Sequence, residues 1–394
     1  VGHERAGLSI AMVGTRGAPA RYGGFETAVE EIGTRLAARG HDVRVYCRRG
    51  NGGDAGDLDA FGGMSLVHLP ALRRRSLETL SHTALSAAHL VARRTDVAFV
   101  FNAANAPFLP LLRVRGIPVA THVDGLEWRR AKWSGTGRRY YRWAEQVAVR
   151  WSDALVADAQ GIADYYRDEF AAETQLIAYG APHVEAKLAR LADVGLSPDG
   201  YHLVVARFEP ENHVELAVEG YVRSGARRPL VVVGSAPYDD TYTRRVTAAA
   251  ADDPRVRFLG GVWDAELLDA LYAGATTYVH GHSVGGTNPS LLRAIGAGTA
   301  TLAFDVVFNR EVLRDAGRFF GDAAALAALL EGAEADAADV AARGRALAER
   351  SRDYDWDDVA SRYEHLATCL VEGRVPGPQR ARRLAAPQWA VGTP

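Results

Sequence analysis

The sequence predicts an α/β protein of two doubly wound domains in series, facing each other across a cleft. Three observations carry this expectation. Short β-branched apolar runs alternate with helical patterns from end to end, the rhythm of parallel βαβ units with both sheet faces covered. The rhythm pauses at GLSPDGY, residues 195–201, where Gly and Pro punctuate a linker, and then restarts. Several strand-to-helix turns are marked by glycine or arginine, and in doubly wound sheets the turns at the carboxyl ends of strands are where ligands bind. A chain of 394 residues is long enough for two such domains.

In order, the strand candidates of the first half are LSIAMVG, DVRVYC, SLVHLP, DVAFVF, PVATHV, ALVADA and TQLIAYG. Between the first two, Phe25, Val29, Ile32 and Leu36 recur at helical spacing and Gly40 closes the helix. HLVVARF, PLVVVG, VRFLG, TTYVHG and TATLAF repeat the pattern in the second half. A last helix, in DYDWDDVASRYEHLATCL, puts Trp356, Val359, Tyr363, Leu366 and Leu370 on one stripe, which needs something to pack on. The expected limits are 1–182 and 183–352 for the domains and 353–373 for the last helix. Residues 374–394 are Pro- and Arg-rich without periodicity and read as a flexible tail.

Hydrophobic residues at 48% and charged residues at 24% are ordinary for a globular protein and argue against disorder. No apolar run reaches the roughly 18 residues of a membrane span. VGHERAG leads directly into LSIAMVG without the basic and long apolar regions of a secretory signal, so a cytoplasmic location is expected. Cys47 and Cys369 are too few for a disulfide framework or a zinc site. Net charge is −2, but residues 1–180 carry 23 Lys and Arg against 19 Asp and Glu, a net +4 that leaves −6 for the rest. The N-terminal half is therefore the side expected to meet an anionic partner. No domain-wide basic excess or nucleic-acid reading motif occurs, so nucleic acid is not expected as a partner.

GTRGAPARYGGFET, residues 14–27, sets glycines and arginines between a strand and a helix start, where backbone N–H groups and the helix dipole can meet phosphate. Tight turns need glycine whatever their function, so this loop alone is weak evidence. It also lacks the dinucleotide fingerprint: Gly14 and Gly17 give GxxG, and the second strand ends in Arg48 and Arg49, where an acidic ribose-binding residue would stand. A second turn, HGHSVGGTNPSLLRAIGAG (280–298), again follows a strand and opens a helix at Pro289. Arg207, in VVARFEPEN, ends the first strand of the second half and would point into the cleft, where a guanidinium suits a diphosphate. Three such turns favour an activated, phosphate-linked substrate.

GTRGAPARYGGFET, HVDGLEWRRAKW (122–133), ARFEPEN (206–212), GHSVGGTNPSLL (281–292) and FNREVL (308–313), in this order between about residues 8 and 372, closely resemble motifs of a bacterial, rhamnosyltransferase-like subgroup of family 4 glycosyltransferases. The resemblance implies the GT-B fold: two Rossmann-like domains, a C-terminal helix crossing back to the first, no metal or other cofactor, and retention of anomeric configuration. It implies a nucleotide-sugar donor on the C-terminal domain, dTDP-L-rhamnose by analogy. A glycan or lipid-linked saccharide acceptor would face the N-terminal domain, in cell-surface polysaccharide assembly. Carried over by position, Arg207 neutralises the diphosphate; Gly285, Gly286 and Thr287 give it amides; Gly23 and Gly24 approach it from the other domain. Arg16, Asn212, Asn288 and Arg293 complete the expected donor site, and His122 and Asp124 are the expected contacts to the transferred sugar, acting with Arg207 in catalysis. The acceptor hydroxyl would attack on the leaving-group face, with no protein nucleophile.

Two departures matter. Asn212 stands where many family members have lysine, as in the rhamnosyltransferase-like subgroup. Gly285 and Arg293 stand where the family commonly has two glutamates, the second holding the ribose, and an arginine cannot accept hydrogen bonds from ribose hydroxyls. Either the nucleotide is held differently, with Arg293 on a phosphate, or donor binding is weakened; a non-catalytic GT-B scaffold is the alternative. Asp353–Tyr354–Asp355 imitates a metal-binding DxD but precedes a helix, where acidic residues suit the dipole. Residues 129–151 hold seven Lys and Arg against one acidic residue, interleaved with Trp133, Tyr140, Tyr141, Trp143 and Trp151. This pattern suits either contact with an anionic membrane surface or a solvated helix with aromatic core contacts. Arg73, Arg74 and Arg75 extend the basic face or form an exposed loop.

Overall fold

Strands covered by helices on both sides are buried along their whole length, and Val97–Phe101 and Val119–Val123 are buried at every position. The computed structural model describes residues 7–20, 23–50, 57–72, 78–123, 125–130, 133–235 and 240–375. In the N-terminal half the strands are β1 (Ser9–Val13), β2 (Asp42–Arg48), β3 (Ala60–Phe61), β4 (Met64–Leu69), β5 (Val97–Phe101), β6 (Val119–Val123), β7 (Ala154–Ala157) and β8 (Gln175–Leu176). They form one sheet in the order β3-β4-β2-β1-β5-β6-β7-β8, parallel except for the β3–β4 pair. In the C-terminal half β9 (His202–Val205), β10 (Leu230–Val233), β11 (Val256–Gly260), β12 (Thr277–His280), β13 (Thr301–Phe304) and β14 (Arg318–Phe320) form a second sheet, ordered β11-β10-β9-β12-β13-β14 and parallel throughout.

Each sheet reverses its winding once, between β1 and β5 in the first and between β9 and β12 in the second. A crevice opens at such a reversal because the helices after the two central strands leave to opposite faces. The turns after β1, β9 and β12 are the three that the sequence marked.

The helices are α1 (Gly24–Ala38), α2 (Glu78–Ala92), α3 (Leu109–Val114), α4 (Gly135–Trp151), α5 (Gln160–Phe170), α6 (Val214–Arg223), α7 (Asp240–Ala249), α8 (Ala265–Ala273), α9 (Pro289–Gly296), α10 (Val307–Leu313), α11 (Ala323–Ala335), α12 (Ala337–Arg350) and α13 (Trp356–Val371). In α1 the expected stripe is real: Val29, Ile32 and Leu36 are fully buried. In α13 all five stripe residues are buried, and their partner is the N-terminal domain. The Tyr363 ring meets Phe99 of β5 edge-on at 5.0 Å. Arg39 Nη1 lies 2.8 Å from Glu364 Oε2, and His41 Nε2 2.9 Å from Glu364 Oε1. Asp355 caps α13 by accepting from the amides of Asp357 and Asp358, and Asp353 pairs with Arg350, so the DxD-like pair is occupied by helix structure. Strands β3 and β14 were not anticipated, and TQLIAYG supplies only two strand residues: short edge strands bury too few side chains to leave a pattern. Cys47 is buried and Cys369 half-buried, neither in a disulfide. Arg73–Arg75, and the expected tail apart from Arg374 and Val375, lie outside the described residues.

Candidate functional site

The site is built where two helices begin. α1 opens at Gly23, an extended residue that offers no side-chain cap, and α9 opens at Asn288, whose side chain accepts from the Ser290 amide, followed by Pro289. The two starts come from different domains and nearly touch: a Cβ added to Gly24 would lie 3.0 Å from Pro289 Cγ. Two helix N-termini at one point place unpaired amides and both positive dipole ends on the same space. Gly286 is bare for a related reason, since a Cβ there would lie 1.8 Å from Asp158 Oδ1 at the end of β7. Thr287 Oγ1 donates to the Asp158 carbonyl at 2.6 Å, tying the amide turn to the opposite domain.

Around this point opens a cleft of about 510 Å³, within the range of small-molecule sites. Its C-terminal wall is Arg207, Glu209, His282 and the run from Gly285 to Pro289. Its N-terminal wall includes Arg16, Gly23, Gly24, Glu26, Arg48, Glu78, Glu127, Arg130, Trp133, Tyr141 and Asp158. Arg207 is 39% exposed, with Nη2 3.7 Å from Glu209 Oε2. Arg130 crosses between the walls, 2.6 Å from Glu127 and 3.4 Å from both Glu209 and Glu211. Arg48 is 3.0 Å from Glu78, and the Arg16 amide donates to Glu26 Oε1 at 3.0 Å. Four guanidinium groups and two helix ends make this a place for an anion, while the carboxylates between them hold the arginines in position. Among the described residues no group of three or more His, Cys, Asp or Glu is arranged to hold a metal ion.

Of the expected site residues, the structure brings Arg16, Gly23, Gly24, Arg207, Gly285, Gly286, Thr287 and Asn288 together on this one cleft. Three others sit elsewhere. Asn212 lies behind the wall: its Nδ2 donates to the Arg207 carbonyl at 2.8 Å and its Oδ1 meets His282 Nδ1 at 2.7 Å. His122 lies beneath the floor rather than on the wall. It is 2% exposed, stacks on Tyr179, meets Phe25 edge-on, and its Nδ1 is 2.8 Å from the Tyr363 hydroxyl of α13. Burial pushes its imidazole down to about 3, so it is a neutral, buried histidine joining β6 to the crossing helix. Arg293 is not among the residues that line the cleft and pairs with Asp269 of α8. Asp124 lies outside the described residues.

Sequence reasoning missed Asp158, Arg130 and His282, and quoted FNREVL without giving it a task. In the structure Phe308 joins the apolar core of the N-terminal domain. Asn309 Nδ2 donates to the His282 carbonyl at 2.9 Å, and Glu311 accepts from the Gln160 amide at the head of α5, also at 2.9 Å. The segment docks one domain on the other. Its partners are remote in sequence, so only the helical spacing of Phe308 and Val312 in FNREVL could have suggested a packed face.

Residues 23–180 match the model of the glycosyl transferase 4-like domain, and residues 199–336 that of the glycosyl transferases group 1. O-antigen chain mannosyltransferase B of Escherichia coli is 25% identical over 173 residues, 42% of this chain and 45% of its own length. The GtfA subunit of the UDP-N-acetylglucosamine–peptide N-acetylglucosaminyltransferase of Streptococcus gordonii is 29% identical over 122 residues, 30% of this chain and 23% of its own. The matched segments thus span less than half the length of these relatives. In three dimensions, sucrose-phosphate synthase from Thermosynechococcus elongatus superposes with a TM-score of 0.79 at 20% identity, covering 92% of this chain and 99% of that one. Anabaena HepE in complex with UDP-glucose gives 0.76 at 14% identity, covering 92% and 100%. With the two opposed doubly wound sheets and the cleft between them, these matches place the chain among the GT-B glycosyltransferases, its N-terminal half a glycosyl transferase 4-like domain and its C-terminal half a group 1 domain.

Proposed function

We propose that this protein is a retaining, metal-independent glycosyltransferase that moves a sugar from a nucleoside-diphosphate donor to a glycan or lipid-linked saccharide in cell-surface polysaccharide assembly. One observation carries the reading: Arg207, the Gly285–Thr287 amides and the Gly23–Gly24 turn line a single cleft from both domains. The bond from the sugar's anomeric carbon to the diphosphate breaks, and the new bond to the acceptor oxygen forms on the same face. The acceptor's proton leaves with the phosphate. Arg207 and the helix-head amides stabilise the charge that develops on the leaving group, a preorganised effect worth roughly 3 kcal/mol per donor. The motif resemblance favours dTDP-L-rhamnose as donor and the cytoplasmic side of the membrane as the place of action. Purified full chain, offered dTDP-L-rhamnose, UDP-glucose and GDP-mannose, should release nucleoside diphosphate from one of them. Absence of both binding and release with all three would overturn the reading.

The Arg293–Asp269 pair favours a second reading, a scaffold that binds without turnover. Binding without release would support it. Arg293→Glu alone would set two carboxylates against each other, so restoration of a weakened donor site is tested with Arg293→Glu and Asp269→Asn together.

For the acceptor side, α4 divides the two readings of the basic segment. Ala144, Glu145 and Ala148 are buried, and the Tyr140 hydroxyl donates to the Ala104 carbonyl, while Arg138, Arg139, Trp143 and Arg150 are exposed. Exposed arginines around an exposed Trp suit an anionic lipid surface presenting a lipid-linked acceptor. Full chain should sediment with phosphatidylglycerol-containing vesicles and not with pure phosphatidylcholine. Arg138→Glu with Arg139→Glu should abolish this, and equal sedimentation of the variant would remove the membrane from the proposal.

A further inference from the structure

His282 lines the C-terminal wall of the cleft beside Arg207 and the Gly285–Thr287 turn. The ring is held unusually firmly. Asn309 Nδ2 donates to its carbonyl at 2.9 Å, and the next amide, of Ser283, donates to the Glu211 carbonyl at 2.9 Å. Its Nδ1 lies 2.7 Å from Asn212 Oδ1. The orientation of that amide is settled by its other end, since Asn212 Nδ2 donates to the Arg207 carbonyl at 2.8 Å. Oδ1 can only accept, so Nδ1 carries the proton and Nε2 of the neutral ring keeps its lone pair.

The lone pair is turned toward the diphosphate turn. A Cβ on Gly285 would lie 3.0 Å from His282 Nε2, and Gly285 has φ +136, a conformation that keeps the position bare. The imidazole thus fills the space that a side chain at 285 would occupy. Burial, with Arg130, His280, Arg207 and His213 around it, holds the ring well below its ordinary range and keeps it neutral. A neutral acceptor repels phosphate oxygens and suits a hydroxyl. Arg130, from the opposite wall, is among the charges that act on the ring. The Arg293–Asp269 pair lies off the cleft, away from this ring.

We propose that His282 Nε2 accepts a hydrogen bond from a hydroxyl of the transferred sugar and so helps to select which sugar the cleft takes. The inference rests on the nucleotide-sugar reading of the site and adds a contact to the sugar itself. It is tested by calorimetric binding of UDP and UDP-glucose, dTDP and dTDP-L-rhamnose, and GDP and GDP-mannose to full chain, using the pair that wild type binds most tightly. His282→Phe should weaken the sugar nucleotide about tenfold, the worth of one hydrogen bond with its partner left unsatisfied, and leave the bare diphosphate within about twofold. His282→Gln, which keeps an acceptor, should recover part of the loss. Should His282→Phe fail to fold, wild type itself supplies the test: of the single-position deoxy analogues of that sugar nucleotide, one should bind about tenfold more weakly than the parent, and equal binding of all of them overturns the inference. Equal weakening of both ligands, or of neither, overturns the inference while the nucleotide-sugar reading stands. Failure of wild type to bind any of the six overturns that reading, and this inference with it.

Discussion

On the C-terminal wall of the cleft, the groups that face the ligand space are fixed by a short chain of hydrogen bonds: Asn309 to the His282 carbonyl, His282 to Asn212, Asn212 to the Arg207 carbonyl. On the N-terminal wall, the helix head at Gly23 has no side-chain cap, and the neighbouring side chains are charged or aromatic, including Arg16, Arg48, Glu78, Trp133 and Tyr141. Both walls offer a helix N-terminus, but the C-terminal one is framed by neutral hydrogen bonds and the N-terminal one by ion pairs such as Arg48–Glu78 and Glu127–Arg130. A preorganised frame suits a group present in every reaction cycle, the diphosphate and its sugar. A wall of varied side chains suits the partner that differs between enzymes. Net charge is +4 in residues 1–180 and −6 in the rest, so the C-terminal wall would hold an anion through Arg207 and local amides rather than through the charge of its domain.

The largest loss of activity is expected at Arg207. Arg207→Ala should lower kcat/KM by about 10²–10³ without unfolding the protein, and steady-state kinetics with a melting curve would check both halves of that statement. Next in size is Gly24→Val. Its Cβ would press on Pro289 at 3.0 Å and wedge the walls apart, so kcat should fall about tenfold or more while nucleoside diphosphate, held by the C-terminal wall, still binds with near wild-type affinity. Equal loss of affinity would mean that both walls share the donor. Trp133→Ala should raise the KM for acceptor several-fold, by the loss of an apolar contact worth about 1 kcal/mol, and leave the donor KM unchanged. An effect on donor alone would reverse the assignment of the walls.

In one respect the halves should behave alike. Burial lowers His82 to about 4 and His122 to about 3 in the first, and His202 to about 4 and His280 to about 3 in the second. Folded, these rings stay neutral; unfolded, they take up protons below about 6.5. Stability is therefore complete above about pH 6.5 and declines as pH falls from there toward 3 to 4. His122→Phe should melt lower at pH 8, because the Tyr363 hydroxyl loses its partner, yet its stability should fall less steeply below pH 6.5, by about 1.4 kcal/mol per pH unit. Chemical denaturation at a series of pH values measures this, and an unchanged slope would mean that the ring is protonated in the folded state. The smallest effect is expected at the seam of the crossing helix. A Cβ on Gly180 would meet the Trp356 ring at 2.4 Å, so Gly180→Ala should cost about 1–3 kcal/mol of stability with little change in donor affinity.

Much of the fold was legible because its signals are local. A β-branched run between two turns, a 3.6-residue stripe such as Val29, Ile32 and Leu36, and a glycine turn at a strand end each fit within a dozen residues. The eight expected donor residues that line the cleft belong to such turns. What failed to show depends on distance along the chain. Arg293 meets Asp269 across 24 residues, Thr287 meets Asp158 across 129, and His122 meets Tyr363 across 241. A histidine ending an apolar strand looks the same in sequence whether it opens on a cleft or closes a core. Only the arrival of α13 beneath it decided which.

From its own letters, then, this chain determined two parallel sheets, their winding turns and the residues that those turns expose, since hydrophobic period and backbone freedom act between near neighbours. The closure of one domain on the other was decided in three dimensions. There Gly24 meets Pro289, Gly286 meets Asp158, and Asn212 turns the lone pair of His282 toward the cleft. These contacts depend on two helix starts reaching the same few ångströms from opposite sheets, and no spacing within one segment can encode a distance between two.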